Sequence, residues 1–145
     1  MNPTLQDVER GFHIEEPLVF VPWGITEGDL AKLIDRHTKV TPGYATCTCR
    51  TLGGLSCQLG FHFAPRSNGT LHELEFFRRQ YPDERGSFDE FQSHLETTFG
   101  PAHRSEPGML EYPNFEWQFG SVLVRHCMLY RYMAEEHVRI KKVSP

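Results

Sequence analysis

The chain has 145 residues, of which 39% are hydrophobic, 12% aromatic and 23% charged, enough for one compact domain over residues 1–145. The 11 Phe exclude a disordered tail, and the net charge of −4, from 15 basic and 19 acidic residues, speaks against a generic binder of nucleic acid or anionic membrane. No segment reaches the ~18 consecutive apolar residues of a membrane span.

Met1 to Phe12 carries no basic segment followed by an apolar one, so a cleaved secretion signal is not expected and the cytosol is the expected compartment. Leu18 to Trp23 is a short apolar run, read as an edge strand ended by Pro22. Thr26 then predicts a helix N-cap, with Asp29 three positions on and Ile25 placed to staple onto Leu30. Leu30, Leu33, Ile34 and His37 form the apolar stripe of that helix, and Thr41-Pro42-Gly43 stops it.

From Tyr44 the period changes to two. Ala45, Cys47 and Cys49 alternate with Thr46, Thr48 and Arg50, and after Leu52-Gly53-Gly54 the residues Leu55, Cys57, Leu59, Phe61 and Phe63 alternate with polar or small ones. A two-residue Gly-Gly turn would put the two apolar sets on opposite faces. A three-residue loop pairs Thr51 with Leu55 and Cys49 with Cys57, which aligns them, so the three-residue loop is expected. Pro65 to Thr70 predicts a second turn and Leu71 to Arg79 a third strand, with Leu74 and Phe76 inward and Glu73 and Glu75 outward.

The order then recurs. Ser87 and Glu90 spell a capping box for a helix whose buried stripe is Phe88, Phe91, Leu95 and Phe99, ended by Gly100-Pro101. A polar loop covers Ala102 to Pro113. Strands follow at Phe115 to Phe119, Val122 to Tyr132 and His137 to Val143. The expected fold is α+β: two helix-plus-three-strand-meander units (αβββαβββ), with an antiparallel sheet carrying two helices on one face. Residues 24–80 and 85–143 match weakly as a pseudo-repeat, through duplication or through coincidence of order.

The four cysteines make no C-x-x-C pair. Cys47, Cys49 and Cys57 could approach one another as a thiolate-rich zinc site, but small buried hydrophobes on strands are expected of them. His62 and His72 could face each other across the Pro65 to Thr70 turn, with no third or fourth ligand evident, so no metal is assigned. No nucleophile elbow, zinc-protease helix or phosphate loop is present, so no catalytic residue and no cofactor is assigned and a non-enzyme is expected. The outward strand positions are more informative. They expose Thr46, Thr48, Arg50, Gln58, His62, Glu73 and Glu75 in the first half, and Glu116, Gln118, His137, Arg139 and Lys141 in the second. One end of this face leans acidic and the other basic, a platform suited to a partner of complementary charge.

Several stretches carry a resemblance. They are Leu52-Gly53-Gly54-Leu55, Gly60 to Gly69, Leu71 to Arg78, Ser87-Phe88-Asp89-Glu90-Phe91, Thr98-Phe99-Gly100-Pro101 and Glu135 to Ile140. Together they resemble small soluble bacterial proteins of the kind encoded beside secreted polymorphic or type VI toxins, over residues 18–142. The resemblance implies an immunity protein that binds and neutralises a cognate toxin, and it assigns no residue a role. From the outward face and the Pro65 to Thr70 turn, Arg50, His62, Arg66, Asn68, Glu73 and Glu75 are the candidate partner-binding residues. Two other expectations stand beside this one. One is a small-molecule or catalytic pocket between the two units, lined by Trp117, Tyr130 and Tyr132. The other is a secretion adaptor or chaperone with an apolar groove. Homodimerisation through an edge strand is open for each.

Overall fold

In a computed structural model, residues 2–35, 38–63, 69–78 and 83–143 are described. Asn2 accepts from the Thr4 amide and Pro3 sits in the first turn, which starts the short helix α1 (Pro3–Asp7). A hairpin follows, of β1 (Gly11–Ile14) and β2 (Val19–Pro22). The apolar run at 18–23 therefore belongs to a separate two-stranded sheet and is not an edge of the main one.

Helix α2 (Glu27–Leu33) begins as its sequence predicts, with the Thr26 hydroxyl accepting from the Asp29 amide at 3.1 Å. It ends sooner than the apolar stripe suggested. Ile34 is already extended, and Thr38-Lys39-Val40-Thr41 forms a strand, β3 (Thr38–Thr41). Three β-branched residues in four favour a pleated backbone over helix. His37 lies outside the described residues.

Strands β4 (Tyr44–Thr51) and β5 (Leu55–His62) pair Thr51 with Leu55 and Cys49 with Cys57, the register of a three-residue loop. Leu52, Gly53 and Gly54 all take positive φ, at 53°, 74° and 91°. This succession turns amides toward one point, where those of Gly53 and Gly54 donate to the two oxygens of Glu15 at 2.8 Å each. Strand β6 (Glu73–Phe77) is shorter than expected, with Leu74 and Phe76 facing inward.

Helix α3 (Glu84–Phe99) starts one turn before the predicted cap. Asp83, not Ser87, is the N-cap and accepts from the Gly86 amide. A carboxylate there also meets the positive end of the helix dipole. Ser87 sits buried in the first turn instead. Phe88, Phe91, Leu95 and Phe99 form the buried stripe, and Gly100 ends the helix at φ 83°. The segment expected as a polar loop contains β7 (Arg104–Glu106) and a 3-10 turn at Met109–Glu111. Strands β8 (Asn114–Phe119), β9 (Val122–Tyr130) and β10 (Ala134–Lys142) complete the chain.

Among the described residues the main sheet has eight strands in the order β3-β4-β5-β6-β10-β9-β8-β7, with every neighbouring pair antiparallel. The fold is α+β, as expected. Each half, however, contributes four strands where three were expected, because β3 and β7 add to the two meanders. The halves join through β6 and β10, where Phe76 lies opposite Val138 and Leu74 opposite Ile140, all at most 1% exposed. Leu30 from α2 and Ile34 just beyond it, Phe91, Leu95 and Phe99 from α3, and Phe12, Ile14 and Val21 from the small hairpin share one core with these residues. Burying each such side chain contributes roughly 1.5–3 kcal/mol. Helices and hairpin thus occupy one face of the sheet, and the polar side chains of the other face remain accessible.

Candidate functional site

The open face is built by alternation on β4, β5, β6, β10, β9 and β8. Residues opposite one another on adjacent strands stand in rows across it. One row runs Tyr44, His62, Glu73, Lys141, Leu123 and Gln118. The next runs Thr46, Gly60, Glu75, Arg139, Arg125, Glu116 and Arg104. Of these, Thr46 is buried at 4% exposure, although alternation had placed it in solvent.

Glu75 is the centre of the charged part. Its Oε1 meets His62 Nε2 at 2.9 Å and the Tyr44 hydroxyl at 3.5 Å, and its Oε2 lies 3.4 Å from Arg139 Nη2. Arg139 Nη1 donates to Glu73 Oε2 at 3.0 Å. The hydrogen bond from His62 is the largest influence on the Glu75 carboxyl, and with the positive field of Arg139 it holds the pKa below the ordinary value against the opposing effect of burial. Tyr44 packs on the His62 ring, with centroids 4.7 Å apart, and lies over Gly60. A Cβ at Gly60 would come within 2.6 Å of the Tyr44 hydroxyl oxygen, so the missing side chain makes room for that ring. Farther along, Arg125 Nε lies 3.7 Å from Glu116, and His137 Nε2 lies 3.4 Å from Glu135.

The structure therefore brings together three of the candidate residues, His62, Glu73 and Glu75. Arg50 stands apart on β4. Its backbone pairs with Glu16, its guanidinium lies 3.6 Å from the Glu16 carboxylate, and it borders a separate recess with Thr48 and Ser56. Arg66 and Asn68 lie outside the described residues. Acid and base also do not occupy separate ends of the face, since Glu73 and Glu75 abut Lys141 and Arg139 across the β6–β10 seam. Sequence reasoning listed Arg139 as outward but missed it as the hub, and it missed Tyr44 altogether. A tyrosine opposite His62 and beside a strand glycine was the available signal.

A second polar cluster lies on the core side. His126 is fully buried and stacks on Phe88 at 4.0 Å. Its Nδ1 meets Gln92 Oε1 at 2.8 Å and its Nε2 meets Glu136 Oε2 at 2.6 Å, while Ser87 Oγ donates to Glu136 Oε1 at 2.7 Å. Because Gln92 Nε2 donates to Glu96, its oxygen is the atom turned to the imidazole. Both ring nitrogens are thus spent on tying α3 to β9 and β10, and Ser87 is directed at a carboxylate rather than at the imidazole. This cluster fastens the helix to the sheet and exposes no nucleophile.

Cys47, Cys49, Cys57 and Cys127 are buried and free. The mutual contact of Cys47 and Cys49, together with burial, pushes the Cys47 thiol far up. Cys49, drawn down by Cys47, is carried up overall by Cys57 and burial. Cys47, Cys49 and Cys57 belong to the apolar core. His72 does lie against His62, through its amide to the His62 carbonyl at 3.2 Å, but the His62 ring is turned to Glu75. Among the described residues, no group of three or more His, Cys, Asp or Glu could hold a metal ion. Trp117 is fully buried and donates to the Gly100 carbonyl, while Tyr130 and Tyr132 are exposed. Among the described residues, no helix is long and apolar enough to cross a membrane.

No protein-family model matches the chain, and no curated protein sequence matches it. Among solved structures, it is similar to a DUF4309 family protein (YjgB) from Bacillus subtilis subsp. subtilis str. 168, with 14% identity and a TM-score of 0.50 over 97% of this chain and 94% of that one. At that identity the likeness is one of fold.

Proposed function

We propose that this chain is a non-enzymatic binding protein that docks a protein partner on the open face of its eight-stranded sheet. The observation that carries the reading is the half-buried charged lattice of His62, Glu75, Glu73 and Arg139, ordered by its own hydrogen bonds and accessible to a partner. Such a lattice is already held in place before a partner arrives, so docking costs little side-chain entropy and favours one complementary pattern of charge. The resemblance to immunity proteins makes a secreted toxin domain the partner to test first, with binding taking place in the cytosol.

The test is co-expression with the product of the adjacent gene. The reading expects a product that is toxic alone, harmless beside this chain and recovered in complex with it. A product that is harmless alone, or that stays toxic beside the folded chain, contradicts the inhibitor reading.

A further inference from the structure

The open face carries a feature that its own ion pairs do not resolve. Arg139 on β10 and Arg125 on β9 are direct cross-strand partners, so two arginine side chains leave the same face of the sheet from adjacent positions. Like charges directly opposite one another on a sheet destabilise it. Each is drawn outward by carboxylates on its far side, Arg139 by Glu73 and Glu75 and Arg125 by Glu116. Only Nε of Arg125 has a partner, so its two terminal nitrogens remain unspent among the described residues. Lys141, two residues on from Arg139 and exposed, has no ion pair among the described residues.

These three cations rim a recess of about 380 Å³ whose floor is apolar, formed by Leu123, Cys127, Leu129 and Val143. Glu73 is its single carboxylate and is already held by Arg139. The lining thus carries three cations to one carboxylate, with Glu75 and Glu116 pairing the two arginines from outside it, on a chain whose net charge is −4. The geometry points to a site for an acidic segment of a partner protein, in which a carboxylate bridges Arg125 and Arg139 and a neighbouring aliphatic or aromatic side chain fills the floor. A carboxylate between the two guanidinium groups accepts from the unspent donors of Arg125 and relieves the repulsion. The recess opens directly onto the lattice around Glu75, through Glu73 and Arg139, so an occupant that continues along the face meets both. This inference rests on the docking reading and adds the chemistry of the anchor.

The probe is a phage-displayed random dodecapeptide library panned against the folded full-length chain. The inference expects enriched peptides with Asp or Glu within two positions of Leu, Ile, Met or Phe. Their binding should weaken at least tenfold in the Arg125→Glu/Lys141→Glu variant, and at least tenfold in Leu123→Asp. The exposed pair tests charge without disturbing the core, and circular dichroism verifies the fold of both variants. Neutral or basic peptides that compete for the same face overturn the acidic anchor and leave the docking reading standing. Peptides insensitive to all these substitutions, or none enriched, overturn the anchor; mapping them to the helix-covered side overturns the docking reading as well.

Discussion

Arg139 faces Glu75 directly across the seam between the two halves of the sheet, and its guanidinium reaches that carboxylate at 3.4 Å. The same side chain holds Glu73 at 3.0 Å, so one cation on β10 orders two carboxylates on β6. Replacing it leaves Glu73 and Glu75, two positions apart on the same strand face, with no guanidinium between them. Arg139→Met is expected to lower stability by about 1 kcal/mol, the upper range for partly exposed pairs. Urea denaturation checks this, and Glu73→Gln in the same chain should restore part of the loss.

Glu75 gives the fold a defined acid sensitivity. Its pKa is held below the ordinary 4.5, first by the bond from His62 and then by Arg139. The unfolded chain therefore takes up the proton more readily than the folded one. The stabilisation is complete above 4.5 and is lost as pH falls through the lower folded value. Urea midpoints measured from about pH 5 down to about pH 3 should fall less steeply in Glu75→Gln than in the parent chain.

Glu15 fastens the N-terminal hairpin to the β4–β5 loop by accepting from both Gly53 and Gly54. Glu15→Ala removes two charge-assisted bonds at an exposed site and is expected to cost about 1 kcal/mol, or about 3 °C in Tm for a chain of this size. Gly53→Ala should cost about 1 kcal/mol through a separate cause, a side chain forced into the left-handed region. Its φ is 74°. Thermal unfolding followed by circular dichroism reads both.

The buried His126–Glu136 pair makes a sharper prediction. His126→Leu leaves the Glu136 carboxylate without its imidazole in a mostly dry site, and a loss of about 3 kcal/mol is expected. His126→Leu with Glu136→Leu removes both partners and should recover at least half of it. A double variant no more stable than the single one would contradict the pairing.

Much of the scaffold was legible because its causes are local. The alternation at Tyr44–Thr51 and Leu55–His62, with the need to keep both apolar sets on one face, was enough to select the register that pairs Cys49 with Cys57. Thr26 and Gly100 mark helix ends by side-chain and backbone chemistry that acts within a few residues. Non-local choices were hidden. Asp83 displaced Ser87 as the cap, and Ser87 then turned to Glu136, a residue 49 positions away.

The site divides in the same way. Outward alternation identified His62, Glu73 and Glu75, but the partner that organises them depends on β6 lying beside β10. Arg139 and Glu73 are 66 positions apart, and no periodicity carries that adjacency. The Arg139–Arg125 pair became visible only once β9 and β10 were in register.

The central claim is that the open face is where a partner docks. Its most direct test is a binding titration of the co-purifying partner against Arg139→Glu/Lys141→Glu and, as a control, Asp89→Lys on the exposed side of α3. Docking on the open face predicts at least a hundredfold weaker binding by the first variant, about 2.7 kcal/mol, and unchanged binding by the control. Equal affinity for the first variant and the parent chain, or a loss confined to Asp89→Lys, would contradict it.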